Sequence, residues 1–305
     1  MISPHPNQGL KEGFSRMGIT VVIPTCDREP KLRSALDSVF RQSLRPREIL
    51  VIDNGCISIC DRLSGIYPNA EFVRIPPRAG VAVARNWGAM LGSGVYLAFL
   101  DDDDVWPVDY LATMVAHLEA TGDGLVAAPN RDLETEEIIA MPIPIPCDSR
   151  LKQWRELAYM GSNMVMRADD FWSAGGFPAR LVTGEDRALV IRMHLNGVRI
   201  SRCLDTFVLR NMEPCDRLTS GSNLLMGKLS FLEAFRDEMP RRDRHDDQLS
   251  FLIYLSKSWG WPIWLIGVFC VPAAAFRRLL KYLRSGIPKW RITSSTCPTG
   301  NRLYK

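Results

Sequence analysis

Up to Leu100, apolar residues alternate between two patterns: short unbroken runs, and stretches where they recur every three or four positions. Ile19-Thr20-Val21-Val22-Ile23 is a β-branched run stopped by Pro24, which predicts a buried strand. From Pro30, a residue suited to a first helical turn, Leu32, Ala35, Leu36, Val39 and Phe40 fall on one helical face. Glu48–Asp53 reads as a second buried strand closed by Asn54-Gly55, and Phe72–Ile75 as a shorter third. Val81–Leu91 reads as a helix, and Val95–Leu100 as a strand running into Asp101. Strands without polar alternation, separated by helices, predict an α/β fold: a mostly parallel sheet with helices on both faces. Such sheets bind ligands at the carboxyl ends of their strands. The polar ends Thr25–Arg28, Asp53–Asn54 and Asp101–Asp104 should therefore meet on one edge.

The second half is less regular. Met141–Pro146 alternates with proline and resists regular structure. Ser162–Met166 reads as a strand, Gly175-Gly176-Phe177 as a turn, and Glu185–Leu195 as a helix capped by Asn196-Gly197. These patterns divide the chain into a polar N-terminal tail (1–17), a catalytic domain (18–245, with halves 18–129 and 130–245) and a helical tail (246–305). In that tail, Trp259–Phe276 is uncharged and mostly apolar, and basic residues from Arg277 to Arg291 follow it. A buried helix pair, an interfacial segment and a membrane span all fit this pattern. The positive-inside rule favours attachment without crossing, at the inner face of the membrane.

Composition adds little: 46% hydrophobic, 24% charged and a net charge of +4 give no reason to expect nucleic acid. The eight cysteines are scattered and form no CxxC pair, which points to reduced thiols in the cytoplasm. There is no secretion signal, P-loop, GxGxxG or GxSxG.

The chemistry concentrates in the acids. Asp101-Asp102-Asp103-Asp104 follows a buried strand directly, and four adjacent carboxylates repel unless something neutralises them. A divalent cation would do so and could hold a diphosphate; a solvated acidic turn is the plainer reading. Asp53 suits either ribose recognition or a turn. Arg85 suits either phosphate binding or an exposed helix surface. Glu185-Asp186 suits either a helix dipole or a general base.

Six segments together resemble the family 2 glycosyltransferases of GT-A fold: residues 22–28, 36–42, 48–55, 84–86, 99–104 and 184–192. The resemblance covers roughly residues 18–215. It implies an inverting, metal-dependent transfer from a nucleotide-diphosphate sugar to a glycan or lipid-linked acceptor in surface polysaccharide synthesis. It implies that Thr25 and Asp53 contact base and ribose, Arg85 the phosphates, and Asp101 the ribose. Pro24, Arg28, Asp102 and Asp104 complete the donor pocket. Asp103 would ligate Mn²⁺ or Mg²⁺, and Asp186 would be the base beside Glu185. Two departures stand out. Asn54 replaces a second aspartate, and Arg210–Asp216 lacks the metal-binding histidine often found there. A degenerate binding module and a sugar nucleotidyltransferase are the alternatives.

Overall fold

The computed structural model describes residues 18–145, 157–181, 183–213 and 221–235, together with 241, 244, 245 and 247–249. The expected N-terminal tail, Trp259–Phe276 and the basic residues after it lie outside these. No described helix is long and apolar enough to cross a membrane. The chain divides into two compact units, Met1–Met212 and Glu213–Lys305. In the second, a helix covers Gly221–Ala234, and the rings of Phe231 and Phe235 lie 4.8 Å apart.

The first unit is an α/β domain. Its elements open with β1 (Ile19–Thr25), α1 (Glu29–Phe40), β2 (Glu48–Asp53), α2 (Cys60–Ser64), β3 (Glu71–Arg74), α3 (Val81–Leu91) and β4 (Tyr96–Phe99). Then come α4 (Tyr110–Thr121), β5 (Leu125–Ala127), β6 (Asn130–Asp132), β7 (Ile138–Ala140), β8 (Met164–Arg167) and α5 (Ala168–Ser173). It closes with α6 (Glu185–Leu195), β9 (Ile200–Arg202) and β10 (Val208–Arg210). Seven strands form one sheet in the order β3-β2-β1-β4-β8-β5-β9. Only β8 runs antiparallel to its neighbours. A second sheet, β10-β6-β7, has three short strands.

All seven residues of β1 are buried, as its unbroken apolar run requires. Successive side chains point to opposite faces. Val21 and Ile23 join Leu32, Leu36 and Val39 of α1 and Tyr110, Met114 and Leu118 of α4 in one core cluster. Val22 faces the other way, onto α3, where a Cβ on Gly88 would lie 2.3 Å from Val22 Cγ1. Helices therefore cover both faces of the sheet.

Ser162–Met166 is not a strand throughout. Gly161–Asn163 forms a 3₁₀ turn before β8 begins. The Asn163 side chain causes this: its Nδ2 donates to the Ala128 and Ala158 carbonyls, and its Oδ1 accepts from the Met160 N–H. Of the proline-rich stretch, residues 141–145 form no helix or strand; Ile145 bridges to Ile200, the Ile143 N–H donates to the Leu157 carbonyl, and the Ile143 carbonyl accepts from the Tyr159 hydroxyl.

The α3–β1 approach sets a test. Gly88→Val must displace Val22 and should cost about 1–3 kcal/mol of stability, read as a lower denaturant midpoint. Gly65→Ala, where an added Cβ meets nothing within 4 Å, should stay within about 0.5 kcal/mol of the parent.

Candidate active site

The parallel strands bring the polar ends to one edge. Thr25 and Asp53 are register partners, and the Leu100 N–H donates to the Val22 carbonyl at 3.0 Å. Pro24 is buried opposite Ile52. Beyond β1, Thr25 Oγ1 donates to Asp102 Oδ2 at 2.8 Å. Arg28 Nη1 lies 3.2 Å from both Asp102 Oδ1 and Asp103 Oδ2.

Arg85 ties the site together. Its Nη2 donates to Asp101 Oδ1 at 2.6 Å, and its Nη1 to Glu185 Oε1 at 3.0 Å and Asp186 Oδ1 at 2.8 Å. It is 2% exposed, so the alternative of a surface helix arginine is wrong. Burial works against its charge, but Asp186, Asp101 and Glu185 overrule that and hold the guanidinium firmly protonated. Two features make room for it. The Phe177 ring centroid lies 5.1 Å from its Cζ, and Gly161 lies where any Cβ would be 2.4 Å from Nη2. The next residue holds the same Phe177: Asn86 Nδ2 donates to the Phe177 carbonyl and Oδ1 accepts the Phe177 N–H, at 2.7 and 2.9 Å.

Asp53 is fully buried. Its Oδ1 accepts the Gly55 N–H, and its Oδ2 accepts the Ile59 N–H and Arg74 Nη1. These bonds shape the loop that follows β2.

Burial and mutual repulsion shape the acids. Burial pushes the Asp102 carboxyl up to about 6, with Arg28 pulling the other way. Burial pushes Asp104 up to about 7 against the pull of Arg210. Burial likewise lifts Asp186 to about 7, with Arg85 opposing and Glu185 and Asp101 reinforcing. Asp103 is raised by burial and by Asp101. Asp101 goes the other way, because Arg85 outweighs its burial.

Sequence reasoning missed three contributors. Ser162 Oγ accepts the Asp101 N–H at 3.0 Å, and the Ser162 carbonyl accepts from Trp106 Nε1 and the Tyr110 hydroxyl. Arg210 and Asn211 hold Asp104, through Nε at 3.4 Å and a backbone N–H at 3.2 Å. The segment inspected for a histidine thus supplies a guanidinium instead. A short hydroxyl residue and an isolated arginine carry no periodic signal. Only their fold positions reveal them.

Among the described residues, no three His, Cys, Asp or Glu side chains are grouped to enclose a metal ion. Asp101 and Asp103 keep 25% and 22% of their side chains exposed, against 6% and 1% for Asp102 and Asp104. One or two carboxylates, with substrate phosphates and water completing the shell, are what Mg²⁺-like ions use, so this donor set fits such an ion.

A largely parallel sheet with an acidic loop at its carboxyl edge and a second acidic pair on a helix that shares Arg85 with it is the GT-A fold. The profile described as Glycosyl transferase family 2 matches residues 20–173. The chain belongs to this family. It is similar to the succinoglycan biosynthesis protein ExoW of Rhizobium meliloti, 43% identical over 101 residues, covering 30% of this chain and 31% of that one. Curated relatives that it matches are covered over 14–58% of their length. Among solved structures, S. aureus TarS 1-349 in complex with UDP-GlcNAc has a TM-score of 0.62 at 17% identity, covering 88% of both chains. The mannosyltransferase PcManGT of Pyrobaculum calidifontis, with GDP-Man and Mn²⁺, has a TM-score of 0.55 at 20% identity, covering 88% of this chain and 81% of that one. At such identities these two share the fold.

Removing Arg85 would strand its carboxylates. Arg85→Met should lose about 3–5 kcal/mol near neutral pH. In that variant Asp101 and Asp186 titrate above their unfolded values, so the folded state binds protons that the unfolded chain does not. Stability should then recover as pH falls toward about 5, a rise that denaturant midpoints at several pH values would register.

Proposed function

We propose that this transferase moves a sugar from a nucleoside diphosphate sugar to a hydroxyl of a glycan or lipid-linked acceptor, with inversion at the anomeric carbon. One observation carries the reading. Arg85 holds Asp101, at the strand end, and Asp186, on the helix, to one guanidinium. The donor-side acid and the candidate base therefore share a site. The names of two structural neighbours include UDP-GlcNAc and GDP-Man with Mn²⁺, which supports a nucleotide-sugar donor and a divalent ion. The name of ExoW supports a role in polysaccharide synthesis.

The residues divide the work. Thr25 and Arg28 hold Asp102 and set the acidic loop. Asp103, with Asp101 beside it, would hold Mn²⁺ or Mg²⁺, which when bound supplies positive charge to the leaving diphosphate. Asp186 takes the proton of the acceptor hydroxyl as that oxygen attacks the anomeric carbon and the bond to the diphosphate breaks. A carboxylate titrating at about 7 is a better base than an ordinary aspartate, because its affinity for the proton is higher. Glu185 shares Arg85 with Asp186 and fixes its orientation.

Nucleotide release across a panel of UDP- and GDP-sugars, with Mn²⁺ and with EDTA, tests the reaction; protein that stays inert with every donor and acceptor would defeat it. Asp103→Asn should lower metal-dependent turnover at least about a hundredfold while the fold survives; near-normal turnover would remove Asp103 from the metal site. Asp186→Asn should lose about 10²–10⁴-fold in transfer yet keep donor affinity. The base must be ionised to act. For the parent, kcat/KM should therefore climb about tenfold per pH unit up to about 7 and then level, and Asp186→Asn should lack that limb.

A further inference from the structure

The leaving diphosphate needs donors, and the obvious cation has few to offer. Arg85 has both terminal nitrogens on carboxylates, and its Nε is buried without a partner. Arg28 Nη1 is shared between Asp102 and Asp103. Arg210 differs. Among the described residues it uses only Nε, on Asp104, and its side chain is 21% exposed. It arrives on the second sheet, not the first. β10 is fastened to the acidic loop by reciprocal backbone bonds between Val105 and Leu209 at 2.9 and 3.0 Å, and by the Asn211 N–H on Asp104. The guanidinium is thus held by a short strand bonded directly to the loop it serves. Its field also reaches Asp101 and Asp103, the two more exposed acids.

We propose that Arg210 is a diphosphate-binding residue of the donor site, with Nε anchored by Asp104 and the two terminal nitrogens donating to phosphate oxygens. Arginine suits this because its planar fork meets phosphate with two parallel bonds. Asp104, 1% exposed, is then a positioning residue that aims the fork. Arg210 stands in the segment where the family resemblance implies a histidine, and it brings positive charge in the chain itself. The proposal rests on the donor reading above.

The test is equilibrium binding of UDP, GDP, UMP and GMP to the full chain, by calorimetry, with Mn²⁺ and with EDTA. Arg210→Gln should weaken whichever nucleoside diphosphate the parent binds by about tenfold to a hundredfold and the matching monophosphate far less. Arg210→Lys, which keeps a point charge and guards against a folding defect, should restore part of the loss. Equal losses for diphosphate and monophosphate, or no loss, would overturn the assignment. A parent that binds neither diphosphate in either buffer would instead defeat the donor reading, and the assignment with it.

Discussion

One buried guanidinium holding three carboxylates is the constraint on which the site depends. Arg85 comes from α3, Asp101 from the end of β4, and Glu185 and Asp186 from the first turn of α6. A charge this deep is costly to bury, and pairing mostly offsets the cost without yielding a large surplus. What it yields is position. The side chain fits because Gly161 leaves space for it and Phe177 lines that space. Asn86, one residue on, pins the Gly176-Phe177 turn against the same helix. Arg85 and Asn86 thus both engage Phe177, one at its ring and the other at its backbone.

The strands and their shared edge were legible because a sheet covered on both faces leaves unbroken apolar runs, as in β1 and β2. The acidic loop was legible because four carboxylates after such a run demand an explanation. The small sheet was not. Asn130–Asp132 and Val208–Arg210 are three residues each, with one buried residue apiece, too short for any period to show. Asp53 was ambiguous for a different reason: closing a loop and meeting a ribose both call for a short carboxylate at a strand end. Ser162 and Arg210 act through contacts 61 and 106 residues away, which no local pattern encodes.

The charge of the cleft is adjustable. Six carboxylates, Asp101–Asp104 with Glu185 and Asp186, face three guanidiniums, Arg28, Arg85 and Arg210. Burial brings three of those acids, Asp102, Asp104 and Asp186, to within reach of neutral pH. Those three acids can therefore release or retain protons near neutral pH. Asp101 is the exception, held ionised by Arg85, so the loop keeps one fixed negative point.

The order of the chain gives the Asp104–Arg210 contact a consequence for biosynthesis. As a nascent chain leaves the ribosome, β1 to β4 and the acidic loop emerge long before β10. Until Arg210 appears, 106 residues later, Asp104 has no guanidinium to justify its burial, and until α6 appears Arg85 can hold only Asp101. The acidic edge is therefore completed only when the carboxyl-terminal strands dock.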